Sequence, residues 1–499
     1  MENIKTKTIN AMGWSFLQKF GYQSVQFLIS VILARILTPS EFGILAMIWI
    51  LISFGQSLID SGFGAALIQN KNASYIDECS IFYFNIFIGF IAAAFMFMMA
   101  PYVSRFYGKP VLLPVTRVMS ITLIINSFGT IQSAMLNKLI DFKTQMKVSV
   151  ISGIISGIIG ITMALTGFGV WSLVAQAISI NLFSTSLLWL LNKWRPSLKF
   201  SFYSLKKMFS FGSRILLSGL LNSIFVNLHS IVIGKIFSAA TLGYYSRAVK
   251  LQELPVSLIT STVNSVTFPV FSVLVSKDDK YLFKSAVRKA LSLIVTVCFP
   301  IMVGLFVVSK PLVLVFFTSK WEPCIPYLKL LCLAGLIEPL QGINRSVLLA
   351  KGRSDLYFRL SIIKKACIAL AILITFRFGI IYIIYGQIVS AIIEYLLNSY
   401  YTGKIMSYTM FEQIRDLLPS LIMATLMGIV ISFFSLIHSM NFIVTIGCQI
   451  SFGILIYMLL CSLFKIPYFL EFLKIVKLKI ALIIPGLRDK GIPIYKNEA

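Results

Sequence analysis

Apolar residues run along the chain in blocks of about 20, each long enough to carry a helix across the hydrocarbon core of a bilayer. Short polar turns separate the blocks, and the stretch ARILTPSEFGILAM, Ala34 to Met47, is typical: apolar, then Thr-Pro-Ser-Glu, then apolar again. This pattern predicts about 14 transmembrane helices. The first six lie near residues 13–34, 42–68, 80–103, 112–136, 148–166 and 170–192. The next six lie near 209–234, 248–274, 290–316, 325–349, 360–376 and 379–400, and two more near 417–437 and 442–464. No polar stretch of domain size interrupts them, so the expected fold is an all-α polytopic membrane protein. The first run follows Lys5 and Lys7 but has no small-x-small cleavage site before Arg35, and it reads as a retained span.

The second group of six spans repeats the first. GKIFSAATLGYYSRA, from Gly234, restates the first corner, with Lys235 over Arg35 and Gly243 over Gly43. PVTRVMSITLIINSFGTIQSAML, from Pro114, aligns without gaps on PYLKLLCLAGLIEPLQGINRSVLL, from Pro326, so that Arg117 meets Lys329 and Gln132 meets Asn344. Asp141 then falls over Asp355, and Gly169 and Gln176 over Gly379 and Gln387. Six spans per unit return the second unit to the membrane in the same sense as the first, which predicts two parallel six-helix bundles related by a pseudo-two-fold axis along the membrane normal. The expected division is residues 1–200, 201–408, and a C-terminal appendage, 409–499, of two extra helices and a basic tail. The basic stretch Lys193 to Lys207 is the linker between the bundles.

Composition agrees with lipid as the main solvent: 58% of the residues are hydrophobic and 12% charged. The net charge of +26 raises the question of nucleic acid, but the positive charges sort by side. Assigning Lys and Arg to the predicted loops puts about 30 on the side of the termini and only about eight on the other, the positive-inside asymmetry of a cytoplasmic-membrane protein with both termini in the cytoplasm. The basicity is therefore topogenic, and no nucleic-acid partner is expected. Seven scattered cysteines include no Cys-x-x-Cys pair, so neither a disulfide framework nor a metal site is indicated.

The two six-helix bundles, the basic linker, the Gly-Trp-Ser opening of the first helix and the Leu-x-Pro-x-x-Phe-Gly corner together resemble the bacterial polysaccharide (Wzx-type) flippases. That family shares a superfamily with the multidrug and toxin extruders and the lipid II flippases. The resemblance covers about residues 1 to 410. It implies inner-membrane export of a lipid-linked oligosaccharide, usually carried on polyprenyl pyrophosphate, from the inner to the outer leaflet. It also implies membrane lipids as neighbours, a polysaccharide polymerase and its chain-length machinery as partners, and no cofactor.

The residues most informative about cargo are the charges inside spans, because a charge at the centre of a lone helix costs on the order of 3 kcal/mol and persists where it has a partner or a water-filled cavity. The bases are Lys19, Arg117, Arg214, Lys250, Lys329 and Arg345, and the acids are Asp60, Glu253, Glu338 and Glu394. Several bases lie close enough to span ends to snorkel. Glu338 differs: it sits mid-span before Pro339, where a broken helix is tolerated if it lines a cavity. Lys19, Arg117, Arg214, Lys329, Arg345 and Glu338 are the candidates for the cargo path, and the excess of bases favours an anionic cargo such as a pyrophosphate. Asp60 and Glu253 are the candidates for ion coupling, with a salt bridge to Lys250 as the simpler role for Glu253. His229 is expected to bond a neighbouring helix, Trp14, Trp171, Trp194 and Trp321 to sit in interfacial belts, and the segment after Lys465 to form a basic amphipathic surface helix.

Enzymatic chemistry has no visible constellation. The chain has two histidines and lacks Gly-x-Ser-x-Gly, a Walker loop and a Cys/His cluster. The nearer rival is a cation-coupled multidrug antiporter of the same fold, resting on Asp60, Glu253 and Glu338.

Overall fold

The computed structural model describes residues 2–60, 62–69, 73–276, 279–436, 442–466 and 468–469. The side chains of some helical residues, Arg214 among them, and the predicted amphipathic segment from 470 onward lie outside the described residues. Among the described residues every long element is an α-helix: α1 Glu2–Ile36, α2 Pro39–Asp60, α3 Phe63–Gln69, α4 Tyr75–Tyr107, α5 Leu112–Met119, α6 Ile121–Lys138, α7 Phe142–Leu165 and α8 Val170–Leu191. There follow α9 Phe202–Ile236, α10 Ala239–Ser276, α11 Lys280–Phe317, α12 Cys324–Ala350, α13 Ser354–Thr375, α14 Ile380–Met406, α15 Met410–Ser432 and α16 Phe442–Leu463.

Eleven of the predicted spans are long and apolar enough in the structure to cross a bilayer, with α5 and α6 counted as one. Helices α1, α10 and α13 coincide with spans one, eight and eleven but fall outside that group. α13 does so with good reason: it holds Lys364 and Lys365, which join the in-span bases read from the sequence. Span two is broken where the sequence predicts continuity. Gly62 adopts φ +70 between α2 and α3, and a side chain there would press on the Gly212 carbonyl. Conversely, α12 continues through Pro339 as one helix.

Local chemistry accounts for many boundaries. α4 opens on a capping box, with Ser74 and Asp77 exchanging side-chain-to-backbone bonds, and closes on Gly108 in the left-handed conformation. α15 opens the same way with Thr409 and Glu412. α7 buries a stripe of small residues, Ser152, Gly153, Ser156, Gly157, Gly160 and Ala164. Without a hydrophobic force between helices in lipid, such a stripe lets backbones approach closely. Gly157 faces Ile29 of α1, and Gly160 faces Gln176 of α8.

The chain divides into two compact units. The first comprises residues 1–254, 313–328 and 365–386, and the second 255–312, 329–364 and 387–499. The first unit has one core around Ile29, Leu33, Ala164 and Leu173 and another around Phe63, Leu67, Phe82, Ile131 and Met135. Trp194 belongs beside the latter, its indole donating to Glu78 at 2.9 Å. The core of the second unit runs from Phe271 and Phe283 through Leu291, Val295 and Phe299 to Met427, Ile431 and Tyr457. The appended helices are fastened to α11 there. Lys284 pairs with Glu412 at 3.1 Å, Arg288 pairs with Asp416 at 2.5 Å, and the Tyr457 hydroxyl donates to the Thr296 carbonyl at 2.9 Å.

Candidate functional site

Three features stand out against the apolar helices among the described residues: two polar clusters and a contact that occurs once in each unit. The first is the corner. α1 ends at Ile36, and Pro39 starts α2 at the position where a missing N–H costs nothing. Glu41 locks the turn by accepting from the Thr38 amide at 2.6 Å and its hydroxyl at 2.9 Å. The second corner is built alike, with the Ser238 hydroxyl accepting from the Thr241 amide at 3.1 Å. The two corners face each other, both within the first unit. The Gly43 Cα lies against the Ala239 carbonyl and the Gly243 Cα against the Pro39 carbonyl, so closely that a Cβ at either glycine would overlap the oxygen.

Around this contact the exposed Arg35 and Lys235 act as a pair. Arg35 Nε donates to the Phe316 carbonyl at 2.9 Å and its Nη2 to the Val315 carbonyl, in the last turn of α11. Lys235 Nζ donates to the Phe106 carbonyl at 2.5 Å, in the last turn of α4. Helix C-termini leave such carbonyls without intrahelical partners and carry partial negative charge, so both cations sit where they are favoured. Beneath them Trp321 is wholly buried, in ring contact with Phe42, Tyr244 and Phe317, and its indole donates to the Ala34 carbonyl at 2.8 Å. This removes Trp321 from the interfacial belt that its position in the sequence suggests. Arg247 is buried among Phe42, Phe317 and Trp321, with its guanidinium 4.4 Å from the Phe42 ring centre and donating to Ser30 at 2.9 Å.

The second cluster is a polar seam between α2 and α9. The Ser57 and Ser223 hydroxyls bond at 2.8 Å, and Asn227 Nδ2 donates to Ser53 at 3.2 Å. Asn126 of α6 donates to Gln56 at 3.0 Å, and Gln56 donates to Asp60 at 3.2 Å. Asp60 is therefore the end of a hydrogen-bonded relay of amides, and it is exposed.

The third is a matched pair of cation–π contacts. The Arg117 guanidinium lies 4.7 Å from the centre of the Phe97 ring, and Lys329 Nζ lies 5.5 Å from the centre of Phe306. Arg117 and Lys329 align in the sequence, and their ring partners lie on α4 and α11. Arg117 Nε is buried and finds no hydrogen-bond partner among the described residues.

Of the other candidates, Lys19 is exposed on α1, Glu253 on α10, and Glu338 and Arg345 on α12. The side chain of Arg214 lies outside the described residues. Glu394 has a partner that the sequence did not mark: Lys364 Nζ stands 2.5 Å from its carboxylate, with only 12% and 23% of the two side chains exposed. His229 is buried. No group of three metal-ligating side chains occurs among the described residues.

A family model described as "Polysaccharide biosynthesis protein" matches residues 32–326, from just before the first corner to the start of α12. The chain belongs to the polysaccharide biosynthesis protein family. Among similar members, the lipopolysaccharide biosynthesis protein WzxC of Escherichia coli (strain K12) is 26% identical over 448 residues, covering 86% of this chain and 89% of that protein. The succinoglycan biosynthesis transport protein ExoT of Rhizobium meliloti (strain 1021) is 28% identical over 355 residues, covering 70% and 71%. The fold is similar to that of a solved structure described as lipid II flippase MurJ, inward closed conformation, with a TM-score of 0.71, 17% sequence identity, and 90% of this chain and 97% of that one covered. The all-α multi-span architecture and the family resemblance read from the sequence are both borne out.

Proposed function

We propose that the chain is a flippase of the bacterial inner membrane that carries a polyprenyl-pyrophosphate-linked oligosaccharide from the inner to the outer leaflet for surface polysaccharide synthesis, with both termini in the cytoplasm. The observation that carries this reading is the duplication of a cation on an aromatic ring, Arg117 on Phe97 and Lys329 on Phe306. A pyrophosphate crossing a low-dielectric region needs its charge compensated, and a cation held by a ring rather than a carboxylate keeps its charge free for that purpose. The names of the relatives, which place them in polysaccharide biosynthesis and in one case in transport, support the same cargo class.

The proposed mechanism is alternating access by the repeats, residues 1–200 and 201–408. The head group follows a path lined by Lys19, Arg117, Arg214, Lys329 and Arg345, while the polyprenyl tail stays in lipid. Asp60, at the end of the Asn126–Gln56 relay, is the proposed coupling group. A polymerase and chain-length machinery receive the exported unit.

Deleting the protein should abolish surface polysaccharide while lipid-linked repeat units accumulate on the cytoplasmic face. Normal polysaccharide with raised sensitivity to cationic dyes would instead establish the multidrug antiporter reading. Replacing Arg117 and Lys329 together by Gln should reduce export more than tenfold, and each single replacement less, at unchanged protein level; a phosphate-bound cargo losing two charge-assisted contacts requires at least that. Export measured by appearance of the oligosaccharide at the cell surface checks it.

A further inference from the structure

The corner contacts form a reciprocal set. The first helix of each repeat ends in a cation, Arg35 on α1 and Lys235 on α9, and each cation caps the third long helix of the other repeat. Gly43 meets the carbonyl at the start of α10, and Gly243 meets the carbonyl at the start of α2. A contact in which residue i meets j while the equivalent of i meets the equivalent of j is the isologous geometry of a two-fold interface.

Three features of this contact suit it to open and close. It joins segments far apart in sequence through backbone oxygens and exposed cations, so that on separation water can solvate both partners at little cost. Its tightest points are the two glycines, where backbone meets backbone. The carbonyl that Lys235 takes is also left free by the helix cap: the amides of Gly108 and Lys109 bond to Arg105 and Ser104, leaving Phe106 for the lysine.

We propose that Arg35 and Lys235 are a paired latch that holds the Gly43–Gly243 contact closed over Trp321, and that outward opening requires both cations to leave their helix ends. The inference rests on the alternating-access reading above and adds the residues that decide which mouth is shut.

Cys324 supplies a native reporter. It opens α12, three residues after Trp321, and is fully buried, while Cys79 and Cys461 are fully buried elsewhere. In the purified full-length protein, a hydrophilic maleimide read out peptide by peptide should label Cys324 slowly. In the Arg35→Glu/Lys235→Glu variant the carboxylates repel the carbonyls, and labelling of Cys324 should rise about tenfold, as loss of two helix-end cations predicts. Cys79 and Cys461 should stay protected, which separates opening from unfolding. The single variants should fall between. Unchanged protection of Cys324 in the double variant would overturn the latch, as would equal labelling of all three cysteines in a conservative Arg35→Gln/Lys235→Gln variant. Because labelling needs no cargo, a latch that behaves as expected in a chain whose deletion leaves polysaccharide normal would count against the flippase reading alone.

Discussion

Replacing Glu394 by alanine should destabilise the second unit by about 3 kcal/mol, because it strands the Lys364 ammonium in a mostly buried site. The two side chains are mostly buried and 2.5 Å apart, one on α13 and one on α14. Each charge is expensive alone and tolerable only because the other is there. The sign of the test lies in the double variant. Removing both charges, as Lys364→Met with Glu394→Gln, removes the desolvation cost together with the attraction, and should recover most of what the single variant loses. Unfolding midpoints of the purified protein, measured for wild type, both single variants and the double, form the cycle that checks it. A double variant as unstable as Glu394→Ala would show that the pair is not the source of the loss.

That pair also marks how far sequence reading reaches. The apolar blocks and their repeat were legible because lipid imposes length and composition on a helix, and the duplicated spans carry matching prolines, glycines and glutamines. Glu394 was recognisable as an acid in an apolar run. Its partner was hidden because Lys364 lies near a span end, where a lysine reads equally well as loop charge, and no spacing within one helix announces a contact with the next. The corner shows the same limit from another side. Lys235 over Arg35 was visible as an alignment, but the groups they bind are backbone carbonyls, which leave no mark in a sequence. The corner consequently read as a repeated turn and part of a family signature, with no sign of the contacts it makes. The cation–π partners of Arg117 and Lys329 fall between these cases: the cations align in the sequence, whereas the rings are two among 41 phenylalanines. The break at Gly62 was missed because the apolar block resumes at once at Phe63 after Asp60 and Ser61, and the close approach of Gly212 and Ile215 leaves no mark in the sequence.

Replacing Gly43 by alanine should nearly abolish export while leaving insertion and abundance intact. The methyl group would overlap the Ala239 carbonyl and come within 3.1 Å of the Gly243 amide nitrogen. Both neighbours are backbone at the start of α10, so no side-chain rotation can make room, and the corners must part. Overpacking of this kind costs about 1–3 kcal/mol in a well-packed site. Placed on the contact that the proposed latch holds closed, it should bias that equilibrium rather than the fold. Gly243→Ala should behave the same way, because the Pro39 carbonyl blocks it from the other side. Gly64→Ala and Gly304→Ala serve as controls: the first would have only Ala134 at 3.8 Å, and the second has nothing within 4 Å, so both should export normally. The comparison also distinguishes the latch from the glycine contact. If the cations alone held the mouth shut, Gly43→Ala would be tolerated in a chain with Arg35 and Lys235 intact. If shape alone did so, the Arg35→Glu/Lys235→Glu variant would keep Cys324 protected. A device that needs both should fail in either variant, with fast Cys324 labelling as the shared signature, because the helix-end bonds reach only as far as two glycines without side chains allow the corners to close.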